Sequence, residues 1–183
     1  QIIIFKLSIL FLKKIAQRLK KLFGVYLKKL KTDLDIITND NKLTPQATDK
    51  ILSYGELISS TIISYYLTQK NIPAEQLDAR HVVLTDNHFN NAYVHYQRTY
   101  NRIRAYCKNR NKMQIITGFL GATERGETTT LGRSGSDYSA SIFGAALIAS
   151  SIEIWTDVNG ILSADPNIVK DAKTISELTY EEA

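Results

Sequence analysis

Residues Thr128 to Ala140 read TTTLGRSGSDYSA, and this stretch runs into a helix-like segment, SASIFGAALIAS, from Ser139 to Ser150. Ahead of it stands MQIITGF (113–119), an apolar run that ends around a glycine and reads as a strand. Small polar residues between a strand and a helix occupy the place where open α/β sheets bind ligands. A helix N-terminus there offers unpaired N–H groups and the positive end of a dipole, which suit phosphate or carboxylate. Gly132 and Gly135 let the backbone approach an anion, and Arg133 adds a planar fork that can clamp a carboxylate. Asp137 fits less simply. A carboxylate repels an anion unless it organises a cation or holds an ammonium group, and the same position also suits a helix-start residue. Local spacing leaves both readings open.

Outward from this stretch the chain alternates between helix and strand. Thr44-Pro45 opens a helix to Gln69, with apolar Ile51, Leu52, Leu57, Ile58, Ile62 and Tyr65 in periodic positions. HVVLT (81–85) reads as a short buried strand, Tyr93–Cys107 as a helix, Ser136–Ser150 as a helix and IEIWTD (152–157) as another strand. Ser176 is a plausible cap for one more helix. Alternation of this kind predicts an α/β sheet with helices on both faces, in one domain or part of one.

The net charge of +5 is local. Nine of the 23 Lys and Arg residues fall in 1–31, which has no acid, and the remainder carries 14 basic against 18 acidic residues. Phe11, Ile15, Leu19, Leu22, Tyr26 and Leu30 step by three and four, so the segment is an amphipathic helix with a lysine-rich outer face. A nucleic-acid or membrane patch would read the same way, but no aromatic platform or recognition motif accompanies the charge, and a solvated helix face is the better reading. The first apolar run, QIIIFKLSILFLKK, is interrupted by Lys6 and is too short for a membrane span, which needs roughly 20 apolar residues. Neither a basic start nor a small-residue cleavage site marks it as a signal peptide. One cysteine, Cys107, excludes an internal disulfide framework and favours a reducing, cytoplasmic setting. His81, His88 and His95 are seven apart, but the strand and turn read between them argue against a metal site. The chain starts without Met and stops at TYEEA in what reads as a helix, so a piece of a longer protein is expected.

Gly121–Thr128, GATERGET, has the glycine spacing of a phosphate-binding loop, yet Glu127 stands where a lysine must reach the phosphates and no helix opens after it. That reading is rejected. WTDV (155–158) ends a β-rich run in Thr156-Asp157 before an Asn159-Gly160 turn; polar residues at a strand's C-terminal end belong at the ligand edge, although Asp and Asn also simply favour turns. SYGE (53–56) puts a glycine inside a helix at a cost of about 1 kcal/mol, which points to close packing or close ligand approach. Glu56 beside it reads equally as an ordinary exposed helix charge.

SYGE, ITGFLGATERGETTTLGRSGSDYSA and IEIWTDVNGILSADP, in this order, resemble the aspartokinases of the amino-acid kinase family over about residues 45–183. The style is also similar to the kinase part of fused aspartokinase–homoserine dehydrogenases. The resemblance implies a three-layer α/β/α sandwich, here a fragment: residues 1–183 as a partial catalytic domain, with 1–44 a basic amphipathic helical segment. It implies transfer of the ATP γ-phosphoryl group to the side-chain carboxylate of L-aspartate, the first step toward lysine, threonine and methionine, with Mg²⁺ carried by ATP and no protein metal site. Neither nucleic acid nor membrane is an expected partner, and the parent is expected to be a cytoplasmic homo-oligomer. A related amino-acid kinase acting on another acid, or a non-catalytic nucleotide-binding or interaction module, is the alternative.

By the same resemblance Arg133 would hold the substrate α-carboxylate and Glu56 its α-ammonium, with Ser134, Gly135 and Ser136 lining the pocket. Asp137 would be catalytic, organising lysines and the transferring phosphoryl. Thr156 and Asp157 would contact the nucleotide, and the positions of a tyrosine and an arginine in the nucleotide pocket are taken by Leu162 and Asn167. Ser134 stands where the family usually has glycine; a positive φ there would strain serine by about 1–2 kcal/mol. The lysine-containing KFGG strand motif, the FGAK segment and the C-terminal ACT domains do not occur within 1–183. The chain alone is therefore expected to be inactive.

Overall fold

The computed structural model describes residues 2–155, 160–179 and 181–182, with side chains from residue 17 onward except Arg18, Leu19 and Leu22. The chain divides into two compact units, 1–150 and 151–183.

In the first unit α1 (Ile2–Asp40) is one helix of 39 residues. Over its described part Phe23, Tyr26, Leu30, Asp33 and Ile37 are the less exposed positions, stepping by three and four as an amphipathic stripe must. α2 (Pro45–Gln69) packs beside it and begins where the sequence predicts. The Thr44 hydroxyl accepts from the Ala47 N–H at 3.1 Å, and Pro45 occupies the first turn, where its missing N–H costs nothing. Asp33 joins the two helices: it accepts from Lys50 Nζ at 2.6 Å and from the Tyr54 hydroxyl at 2.7 Å. Burial pushes its carboxyl up, but those two bonds together with the nearby charges of Lys50 and Lys29 outweigh burial and hold it below the ordinary range.

The inner face of α2 departs from the apolar periodicity read from the sequence. Leu57 is buried, but Leu52 and Ile62 are exposed, and Ser53, Ser60, Thr61 and Ser64 are buried instead. Each of these four hydroxyls bonds back to a carbonyl three or four residues earlier, so the polar groups are satisfied inside the helix and their small side chains face inward.

The strands are short. β1 (Ala74–Leu77) pairs in parallel with β2 (Met113–Ile116), Ala74 opposite Met113 and Leu77 opposite Ile116. β3 (Leu120–Ala122) and β4 (Thr128–Thr130) form an antiparallel hairpin across GATERGE, which is why that segment makes no phosphate loop. The strand expected at HVVLT is not formed. Ala79–His81 is a 3₁₀ turn, followed by isolated bridges of Leu84 to Ala122 and Thr85 to Val94. Within the segment, the Val82 and Val83 N–H groups both donate back to the Ala79 carbonyl, at 3.0 and 2.7 Å, and the Leu84 N–H donates to Thr99 Oγ1 at 3.0 Å, so local turns and a side chain take backbone donors that a ladder would need. Val83 and Leu84 are nonetheless fully buried, which explains the apolar run.

α3 (Tyr96–Cys107) and α4 (Gly135–Leu147) pack on each other, and Ile103, Ile142 and Phe143 share a core with Leu77, Val82 and Val83. α2 packs on β1, β2 and β4. The result is an α/β fold as the sequence predicts, although two helices open the chain, β2, β3 and β4 follow one another, and the described strands form two two-stranded sheets. No described helix is long and apolar enough to cross a membrane.

The second unit has neither a helix nor a multi-residue strand among its described residues. It is held by a Leu162–Thr174 bridge, with the Ser163 N–H donating to the Lys173 carbonyl at 2.9 Å and the Ile175 N–H to the Ile161 carbonyl at 2.8 Å. Ile152 to Trp155 make no ladder, contrary to the expected strand, and Thr156 and Asp157 lie outside the described residues. Side-chain pattern alone cannot make a strand without a neighbouring chain to accept its backbone bonds, and Ile152, Ile154 and Trp155 are exposed. The helix expected from Ser176 does not form over Ser176–Thr179.

Candidate functional site

The polar stretch leaves β4 along a fixed course. The Leu131 N–H donates to the Phe119 carbonyl at 2.9 Å, and Leu131 is buried. Gly132 follows at φ +78°, and a Cβ there would overlap Asn91 Oδ1, so both conformation and space require glycine. Ser134 has φ 56° and ψ 26°, the left-handed conformation, and its side chain makes no capping bond. The strain conditionally expected for serine here is therefore present. Gly135 is buried with its Cα against the Phe119 ring; a Cβ would come within 2.5 Å of that ring.

α4 opens directly after this turn. The Gly135 N–H donates to the Gly132 carbonyl and the Tyr138 N–H to the Ser134 carbonyl, at 3.1 and 3.0 Å. The N–H groups of Ser136 and Asp137 find no backbone acceptor among the described residues. They form the positive end of the helix, as the sequence predicts. The first turn is docked by Ser139, whose Oγ donates to the Gly135 carbonyl and accepts from the Phe119 N–H, both at 2.8 Å.

Beside this helix start lies a cavity of about 390 Å³ whose wall includes Glu56 from α2, Gly118 after β2, and Ser136, Ser139, Ala140 and Phe143 from α4. Glu56 is half-buried. Desolvation raises its pKa above the ordinary carboxylate value, and a hydrogen bond from the Gly118 backbone opposes the rise without cancelling it. The tertiary structure thus gathers Glu56 and Ser136 around one space. Arg133, Ser134 and Asp137 sit on the exposed turn and helix start next to it, with Gly135 buried beneath. Leu162 and Asn167 lie in the second unit; Leu162 makes the bridge to Thr174, and the Asn167 N–H donates to Asp165 Oδ1 at 2.8 Å in a side-chain-closed turn.

Several contributors escaped the sequence reading. Gly118 and Ser139 line the cavity and Phe119 packs under Gly135, and the buried hydroxyl of Ser139 could have been suspected from its place among the small residues of SASIFGAA. The close approach expected at Gly55 is absent among the described residues: nothing lies within 4 Å of where its Cβ would be, and the position is exposed. Gly55→Ala is accordingly expected to stabilise this chain by about 0.5–1 kcal/mol in urea unfolding, from helix propensity alone. A loss of stability would show that a further group packs there.

A larger cavity, about 630 Å³, lies between α1 and α2 and is lined in part by Lys28, Lys29, Asp33, Lys50, Tyr54 and Arg80. Lys50 pairs with Asp33 across the two helices, and Arg80 pairs with Asp78 two residues before it, both at 2.6 Å. His88 pairs with Asp86, and no group of three or more His, Cys, Asp or Glu side chains able to hold a metal occurs among the described residues.

A glycine turn with a strained serine, a helix start whose first N–H groups lack backbone acceptors and a desolvated carboxylate thus lie around or beside one small cavity. The chain belongs to the amino acid kinase family, whose model matches residues 12–183. It is 42% identical over 133 residues to an aspartokinase of Chlamydia muridarum, covering 73% of this chain and 30% of that protein. It is 39% identical over 142 residues to lysine-sensitive aspartokinase 3 of Escherichia coli, covering 76% and 32%. Among solved structures it is similar to E. coli aspartokinase III in complex with aspartate and ADP, with TM-score 0.75 and 32% identity over 86% of this chain and 37% of that one. Aspartate kinase of Clostridium acetobutylicum matches with TM-score 0.67 and 34% identity over 87% and 33%. The chain spans about a third of the length of the relatives it matches.

Proposed function

We propose that the protein carrying this chain transfers the γ-phosphoryl group of ATP to the side-chain carboxylate of L-aspartate, giving ADP and 4-phospho-L-aspartate, the entry to lysine, threonine and methionine synthesis. The observation that carries this reading is the cavity in which Glu56 faces the α4 start, beside the turn that bears Arg133. It supplies an anionic and a cationic anchor for one zwitterion. Similarity to an aspartokinase whose structure holds aspartate and ADP supports the same assignment.

The residues fit the chemistry. The acceptor carboxylate is ionised near neutral pH, its free pKa being about 3.9, so no protein base is required. Arg133 takes the α-carboxylate through its planar fork, and Glu56 the α-ammonium. Ser134, Gly135 and Ser136 shape the wall between them. Asp137 organises the cationic groups around the transferring phosphoryl. Thr156, Asp157, Leu162 and Asn167 would serve the nucleotide, and Mg²⁺ arriving with it would supply charge neutralisation on its phosphates. Phosphoryl transfer asks the protein chiefly for positioning and charge stabilisation.

The test is a hydroxylamine-trapping assay on the full-length protein with ATP, Mg²⁺ and aspartate. Hydroxylamine displaces phosphate from the acyl phosphate, and the hydroxamate is read by its ferric colour. Hydroxamate that forms with aspartate and not with glutamate is the expected result. Formation with another acid alone would make the protein a different amino-acid kinase. ATP binding with no hydroxamate from any acid would make it a non-catalytic nucleotide-binding module.

A further inference from the structure

Asp49 is a carboxylate on the first turns of α2 with no solvent exposure. Its partners come from far along the chain. Oδ2 accepts from the Asn90 N–H at 2.9 Å and the Thr130 N–H at 3.0 Å, and Oδ1 accepts from the Thr130 hydroxyl at 2.7 Å. Thr130 is the last residue of β4, and the next three are Leu131, Gly132 and Arg133. Asn90 precedes Asn91, whose side chain packs against Gly132. The Ala92 N–H also donates to the Thr130 carbonyl at 2.9 Å. One buried carboxylate therefore holds both the end of β4, from which the Arg133 turn departs, and the Asn90 turn that packs beside it.

The same helix carries the opposite anchor. Glu56 is seven residues beyond Asp49, two helical turns less about 20°, so the two side chains share one face about 10 Å apart along the axis. α2 acts as a ruler: Asp49 fixes one end to β4 and the Arg133 turn, and Glu56 presents the other end to the cavity. We infer that Asp49 is a positioning residue that sets the separation between Glu56 and Arg133, and through it the fit to the two ends of the amino-acid substrate. This rests on the proposed function for the identity of the substrate, but not for the clamp itself.

The contacts say which substitutions matter. In Asp49→Asn the amide oxygen can keep both N–H donors, while the NH₂ group turns to the Thr130 hydroxyl, which can accept as well as donate. Geometry survives although the charge is lost. Asp49→Ala leaves the buried Thr130 N–H and the part-buried Asn90 N–H without their acceptor. Asp49→Glu keeps the charge and the acceptors but lengthens the strut by one methylene.

The experiment measures KM for aspartate and for ATP in the full-length protein for these three variants, together with amide hydrogen exchange over residues 130–137. Misplacing a binding group by about 1 Å can cost up to a hundredfold, so Asp49→Glu and Asp49→Ala should raise KM for aspartate about tenfold or more. KM for ATP should stay within about twofold. Asp49→Asn should restore KM for aspartate to within about twofold of the parent. Combined with Arg133→Ala, Asp49→Glu should add little, because the distance it disturbs no longer has a far end. A merely structural role would lower the amount of active enzyme, hence apparent kcat, and leave KM unchanged. If Asp49→Ala does not fold, Asp49→Glu decides. Unchanged KM for aspartate in Asp49→Glu, or unchanged exchange across 130–137, overturns the inference. A parent that makes no hydroxamate overturns the function instead, and the exchange rates then still judge the clamp.

Discussion

Replacing Asp137 by Asn in the full-length protein is expected to lower kcat at least about a hundredfold with little change in thermal stability. The sequence leaves Asp137 as either a helix-start residue or a functional one. In the structure it is exposed in the first turn of α4, next to N–H groups without backbone acceptors, while the capping position belongs to Ser134. No hydrogen bond from its carboxylate closes the helix end among the described residues. Its contribution to folding is then limited to a screened interaction with the helix dipole, which is small at an exposed site. As an organiser of the groups around the phosphoryl it would act mainly in the transition state. Loss of one preorganised electrostatic group of that kind costs roughly 10²–10³ in kcat. Steady-state kinetics and a melting curve on the same preparation separate the two roles. Near-normal kcat with a lowered melting temperature would reduce Asp137 to a cap.

Arg133→Ala should raise KM for aspartate roughly a hundredfold and leave KM for ATP within about twofold. Arg133 is exposed and makes no ion pair among the described residues, so its guanidinium is available to a ligand. Truncating one side of a charge pair that is hydrogen-bonded and desolvated on binding typically costs about 2–5 kcal/mol, and a hundredfold is about 2.7 kcal/mol. Glu56 adds a pH signature. It must be ionised to hold an ammonium group, and desolvation places its pKa above the ordinary value of 4.5. KM for aspartate should rise as pH falls through that raised pKa, in the parent and in Arg133→Ala alike. Collapse of ATP binding in Arg133→Ala would move the arginine to the nucleotide.

What could be read from sequence is what depends on neighbours a few residues away. Thr44-Pro45 starts α2 because the capping hydroxyl and the fixed φ act within one turn. The helix after the glycine turn starts at Gly135, within a residue of expectation, because the positive φ of Gly132 turns the chain out of β4 locally. The order of helices, the polar turn between strand and helix and the family motifs were legible for the same reason.

The tertiary structure decided the rest. Val82 to Thr85 are buried but make only isolated bridges, since burial sets their composition while the Ala79 carbonyl and the Thr99 hydroxyl take the backbone donors of Val82, Val83 and Leu84. Glu56 looks like any charged helix residue until α4 and Gly118 close around it and remove its water. Asp49 gives no signal at all in sequence, because an acid near a helix start is ordinary on a surface. Its role comes from Asn90 and Thr130, 41 and 81 residues away, whose backbone donors make burial of a carboxylate affordable. Local chemistry determines where elements begin; which polar groups are withdrawn from water, and therefore which can bind, is fixed only when distant segments meet.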